Sequence, residues 1–414
     1  MASRFASVLL LALVARPTLA QAPSLTLEQV VNAGAITGSA PGALAWSPDG
    51  RTLAFTWDSA GGGRRTVWVV GHDGRGRRVL LAAAGGSARE LAWTPDGSEL
   101  LALRGEALER VRGSDGAAVR VAAVPRDAHA LGVSPDGRHA SFLSAGDLWV
   151  VPLTPTGGTS PRRLTTVGVP SIAAVPLGTY ARLDREVGDA TWGSAAPPYA
   201  WAPDGRTVAV QVVDRRAVRQ VAFPYPLGRD PAAELLVAPS VNTLRRSYPG
   251  DVNEARTVAL VDAVTGVMTP LPFPEPTEVQ LLNLAWSRQG ALLVDRERDD
   301  ATERWVHVVA PGAAPRLVYH DRRATRIYTE HGSAWADDGA SLLLTTDRDD
   351  RYRVFRVALR DTTPVALTPA TSDVQGAAWA LPGGGVAWLS SAPVVAERHL
   401  WVRRGAAAPV QVTR

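Results

Sequence analysis

The stretch LAWSPDGRTLAF, residues 44–55, decides the fold. It returns as LAWTPDGSELLAL from Leu91 and as YAWAPDGRTVAV from Tyr199. Its physics is local. LAW closes a strand. SPDG then makes a tight turn: Pro presets φ, Asp bonds back to nearby backbone, and Gly takes the left-handed conformation that returns the chain. RTLAF starts the next strand, with side chains alternating between faces. Degraded copies continue the series, so that its anchors are Trp46, Trp93, Val133, Trp201, Trp286, Trp335 and Trp379. Consecutive anchors lie 47, 40, 68, 85, 49 and 44 residues apart. Four of these intervals fit one propeller blade, about 40 to 50 residues.

After each turn come an apolar run (TVWVVGHDG, DLWVVPL, RVFRVAL, HLWVRRG), a polar turn and a final short strand (RRVLLA, PVALT, PVQVT). That is four antiparallel strands per unit. One unit cannot bury both of its faces; stacked around an axis, neighbours cover one another, and the Trp side chains fill the layers between blades. PDG alone is a common turn, and a β-sandwich would not need the period. The expected fold is therefore all-β: a β-propeller of four-stranded antiparallel blades, seven of them, over residues 41–414.

Composition agrees with a large buried core. Of 414 residues, 46% are hydrophobic and 20% charged, with a net charge of +4. All basic residues are Arg, scattered among Asp and Glu, so no basic face for nucleic acid is expected. Cysteine is absent, which excludes disulfides, thiolate metal sites and a Cys nucleophile. Residues 1–20 read as an export signal: Arg4, the apolar run FASVLLLALVA, and small residues before a cleavage point after Ala20. That run is too short to span a bilayer, which needs about 20 apolar residues. Export to the periplasm or medium is the expectation. Residues 21–40 form a lead segment whose TLEQVVNAG reads as a short helix, with Thr26 and Gln29 as a capping box and Gly34 as its stop.

Two intervals are too long for a blade. Residues 167–198, VGVPSIAAVPLGTYARLDREVGDATWGSAAPP, precede Trp201, and residues 221–256, VAFPYPLGRDPAAELLVAPSVNTLRRSYPGDVNEAR, follow it. Long excursions from a compact repeat are functional or disordered; flanking one blade, these two are read as functional. Catalytic motifs are missing: no G-x-S-x-G elbow, H-E-x-x-H or P-loop occurs. The seven His residues are dispersed, and surface or turn roles are expected for them. The doublets Asp299-Asp300, Asp337-Asp338 and Asp349-Asp350 fall at turns and match no calcium loop. No cofactor and no metal site are expected.

Taken together, the excursions and the W-S-P-D-G blades resemble the N-terminal propeller of the dipeptidyl peptidase IV group, in the prolyl oligopeptidase family of serine peptidases. LDREVGDATWGSAAPPYAWAPDG and RRSYPGDVNEARTVALVDAVTG carry the resemblance most specifically. It implies a non-catalytic role in admitting and docking peptide substrates for an α/β-hydrolase domain that this chain lacks. It also implies a carboxylate clamp for the substrate's amino end just before the fourth blade. The corresponding place holds Asp184, Glu186 and Asp189; the family's adjacent Glu pair is not reproduced, since Val187 follows Glu186. A solvated acidic loop with Arg185 as partner is the alternative. Relatives have eight blades, and the strands after Trp379 finish only a seventh, so an open ring is expected. A stand-alone periplasmic binding propeller is the competing reading. A propeller lactonase, which would need metal ligands at the centre, is the third.

Overall fold

The computed structural model describes residues 25–31, 38–59, 61–167, 172–173, 196–225, 240–245, 247–327, 332–371, 373–394 and 396–413. Asp184, Glu186 and Asp189 lie outside the described residues, as do the expected signal segment and Gly34. The short helix is found, at Leu27–Val31, with the Val30 amide donating to Thr26 O (3.0 Å).

Seven antiparallel blade sheets follow in chain order; six have four consecutive strands, and the fourth has five, interrupted by a separate two-stranded ribbon. Blade one comprises Gly42–Trp46, Thr52–Trp57, Thr66–Gly71 and Arg78–Leu81. Blades two and three begin at Ala88–Trp93 and His129–Val133. Blade four comprises Tyr199–Trp201, Thr207–Asp214, Ala255–Asp262 and Met268–Pro270, and the short strand Ile172–Ala173 pairs with the far end of its second strand. Blades five, six and seven begin at Val279–Trp286, Gly332–Trp335 and Val374–Leu381. The Pro-rich excursion after Trp201 contains a two-stranded ribbon, Gln220–Tyr225 with Ser240–Arg245. First strands of consecutive blades touch one another, which puts them nearest the ring's centre.

The turn chemistry is as the sequence implies. The Gly50 amide donates to Ser47 O (2.8 Å), with φ of 69° at Gly50. Ser47 Oγ donates to Asp49 Oδ1 (2.6 Å) and accepts from the Thr52 amide (2.9 Å). Thr94-Asp96 and Ser134-Asp136 repeat the arrangement. The Ser47 hydroxyl and the Arg51 amide hold the Asp49 carboxyl below the usual carboxylate range. These turns define one end of the ring, the turn end. The chain passes between blades at the other, the connection end.

Six apolar clusters each bridge two consecutive blades, from one–two to six–seven. The indole does part of the joining. Trp93, Trp286 and Trp335 each donate Nε1 to the first strand of the preceding blade, at Ala45 O, Ala200 O and Ala285 O, all at 3.0 Å. Trp201 donates to Ser141 Oγ of blade three (2.8 Å). Val133 has no indole; there Glu90 of blade two accepts the Ala130 and Leu131 amides of blade three (3.0 and 2.6 Å).

Two anchors depart from the expected packing. Trp46 is 55% exposed and Trp379 is 49% exposed. Trp46 shares its face with Leu53, Phe55 and Trp68, on the side of blade one away from blade two. Trp379 is turned by register. The strand does not end at the Trp but runs on to Leu381, and a three-residue turn, Pro382–Gly384, replaces the four-residue one. Trp379 therefore pairs with Ala387, while Ala378 and Ala380 take the face toward blade six. Changing the parity of a hairpin moves every side chain to the other face. Among the described residues no apolar cluster bridges blades seven and one.

Candidate functional site

The connection end of blades four and five gathers buried charge. Alternation along one strand, Leu292–Arg298, sorts it onto two faces. Asp295 and Glu297 point toward blade six, with Arg304 opposite them; Arg296 points toward blade four, with His307 on the same face.

On the first face, Arg304 is wholly buried against wholly buried Asp295. Nε donates to Oδ1 (2.9 Å) and Nη2 to Oδ2 (2.7 Å), a fork-to-fork pair. The remaining donors reach blade six at Thr345 O (3.1 Å) and Gly332 O (3.2 Å). Arg304 thus neutralises a buried carboxylate and ties two blades together. Beside it, burial pushes the Glu297 carboxyl up to about 7, with Arg304 opposing and Asp295 adding to the shift. Glu297 Oε2 is buried without a hydrogen-bond partner.

On the second face, Arg296 donates to Glu275 Oε2 (2.9 Å) and to Pro276 O (2.7 Å), and its guanidinium lies 4.5 Å from the Phe273 ring centroid. His307 Nε2 lies 3.1 Å from Glu275 Oε1. Burial lowers the His307 pKa, and nearby Arg296 lowers it further against the pull of Glu275. His307 is 1% exposed, which corrects the expectation of surface or turn roles for the histidines. His399, 7% exposed, is a second exception. Glu275 comes from the link between blades, 32 residues before His307, and no local pattern announces the pair.

Further along this end, Glu254 receives Arg215 Nε (2.6 Å) and pairs closely with buried Arg256. Burial raises the Asp299 carboxyl to about 6, with Arg256 opposing and the Glu254, Glu278 and Asp300 charges adding. All three acidic doublets fall at hairpin turns, as the sequence implies. Among the described residues no cluster of His, Asp and Glu could hold a metal ion, and no helix is long and apolar enough to cross a membrane.

The arrangement is a stiff, charge-paired floor. Residues 196–198 cross it into blade four, where the Ala196 amide donates to Leu281 O of blade five (3.1 Å). The residues just before them are the excursion that holds the three candidate carboxylates.

Glu297 gives the floor a pH dependence. A carboxyl whose folded-state pKa lies above its ordinary 4.5 binds its proton more tightly when folded. Stability then falls as the pH rises from about 4.5 to about 7, and is greatest below that window. Glu297→Gln is expected to flatten this fall and to gain up to about 3 kcal/mol at pH 8, from about 1.4 kcal/mol per pKa unit. Urea titrations of both proteins at pH 5 and 8 check it; an equal loss between the two pH values in both would refute it.

Comparison with known proteins adds a family. The model of the dipeptidyl peptidase IV (DPP IV) N-terminal region matches residues 94–409. The crystal structure of Porphyromonas gingivalis dipeptidyl peptidase 4 superposes with a TM-score of 0.73 at 14% identity, over 94% of this chain and 55% of that one. At that identity the shared property is the fold, and this chain spans little more than half of the other's length. No curated protein matches in sequence.

Proposed function

The chain belongs to the dipeptidyl peptidase IV N-terminal region family, and from that premise we propose that it is an exported, non-catalytic propeller that admits and docks peptide substrates for a serine peptidase of α/β-hydrolase fold. The observation that carries this reading is the charged floor at the connection end of blades four and five. A substrate clamp needs carboxylates held still, and rigid elements hold a site better than a free loop does. The excursion with Asp184, Glu186 and Asp189 feeds directly into that floor through residues 196–198. In this reading Glu186, with Asp184 or Asp189, takes the ammonium group of an incoming peptide, a charge-assisted contact that strengthens away from water.

The test joins this chain to a hydrolase domain of the dipeptidyl peptidase IV group and compares Glu186→Ala with the parent on a dipeptidyl anilide. KM is expected to rise at least tenfold with kcat little changed, since the lost contact serves binding. An unchanged KM contradicts the clamp.

A further inference from the structure

One guanidinium stands between two buried carboxylates where blades five and six meet. Glu297, 6% exposed, lies directly opposite Arg304 across the hairpin, with Gln280 on its other side. Yet the Arg304 fork goes to Asp295, which is opposite Val306 and is reached on the diagonal. Glu297 is thus beside a cation held by its neighbour, and its Oε2 is buried without a hydrogen-bond partner. Among the described residues the charged groups acting on Glu297 are Arg304, Asp295 and Asp299 of blade five and Arg326 of the link to blade six. Arg304 in turn feels the Tyr319 hydroxyl, which has Asp321 beside it and Arg348 of blade six near it.

Counting donors shows what ionisation of Glu297 does. A guanidinium has five N–H donors. Two of those on Arg304 go to Asp295, one to Thr345 O and one to Gly332 O. A fork onto a second carboxylate takes two donors, so at least one of these four bonds must break. Bonds to a carboxylate are about twice as strong as bonds between neutral groups, so the blade-six carbonyls give way first. Leaving a buried carboxylate charged and unpaired is the costlier course. We propose that Arg304 is a proton-operated latch between blades five and six: with Glu297 neutral it holds Gly332 and Thr345, and when Glu297 releases its proton to solvent the guanidinium turns to it and frees blade six at the connection end. Burial lifts the Glu297 carboxyl to about 7, so the latch is closed below that pH and open above it. The latch belongs to the ring itself and does not depend on the peptide clamp.

Hydrogen exchange of the full chain, read by mass spectrometry at pH 6 and pH 8 with labelling times scaled to the intrinsic rate, tests the latch. Between the two pH values, peptides covering Gly332–Trp335 and Ser341–Thr346 are expected to lose at least tenfold more protection than the Thr66–Gly71 strand of blade one. Glu297→Gln, which keeps the shape of the protonated side chain, should remove that difference. A loss in blade six no greater than in blade one, or a difference that persists in Glu297→Gln, would overturn the proposal.

Discussion

Replacing Arg304 with Met is expected to destabilise the protein by about 3–5 kcal/mol, because one partner of a buried ion pair is removed and the other is left uncompensated. Arg304 and Asp295 are both fully buried, so neither water nor salt can take over. The loss also severs the links to Thr345 O and Gly332 O, and hence loosens blade six against blade five. Pairing the change with Asp295→Leu should recover much of the stability, since apolar residues can replace a buried pair at little net cost. The exposed pair Arg112–Asp115, with 59% and 53% of its side chains open to solvent, supplies the contrast. Arg112→Ala should cost no more than about 1 kcal/mol. Urea unfolding of the four proteins measures all of this. Equal losses at Arg304 and Arg112 would mean that the buried pair contributes nothing special.

The second large effect is expected at Gly116, in the turn between the third and fourth strands of blade two. Its φ is +78°, and an added Cβ would overlap Leu80 O of blade one. Gly157 of blade three lies in the same way against Arg120 O, and Gly266 of blade four against Leu164 O at 3.1 Å. Backbone-to-backbone approach between blades is thus a repeated device that only glycine permits. Gly116→Val combines a strained dihedral, about 1–3 kcal/mol, with overpacking of similar size, for a total of about 3–5 kcal/mol. Gly312, at the matching turn of blade five, has φ of +69° and nothing within 4 Å. Gly312→Val should therefore show the dihedral part alone. If the two variants melt alike, the contact between blades carries no energy.

The parts of the fold that could be read from sequence are those whose physics is local. A Ser-Pro-Asp-Gly turn makes its hydrogen bonds within six residues, so LAWSPDGRTLAF announces a hairpin wherever it occurs, and repetition then dictates the blades. Register is less local. Trp379 looks like Trp335 by position, yet the added glycine in ALPGG shortens the turn loop and lengthens the strand, and that parity puts the indole on the opposite face. Comparing the spacing between Trp and the following apolar residue does not reveal it; the pairing Trp379 with Ala387 does. The charged floor was hidden for another reason. DRERDD, residues 295–300, reads as a solvated run. Only when the sheet alternation and both neighbouring blades are in place do Asp295, Arg296 and Glu297 separate onto two buried faces. Arg304, Glu275 and His307 then become their partners across 9 to 32 residues of chain. The clamp proposed for Asp184, Glu186 and Asp189 rests on family resemblance and on their place in the chain, before the Ala196 link to blade five.

The most direct test of the central proposal is one peptidase assay with two arms. The purified chain is supplied with a dipeptidyl anilide and a fluorophosphonate label, first alone and then joined to a hydrolase domain of the dipeptidyl peptidase IV group. Alone it should neither hydrolyse the anilide nor take up label, since a serine hydroxyl without a positioned base is a weak nucleophile. Joined, it should lower the KM of the hydrolase for the anilide relative to the hydrolase without a propeller. Label or turnover on the chain alone, or a hydrolase indifferent to its presence, would contradict the proposal.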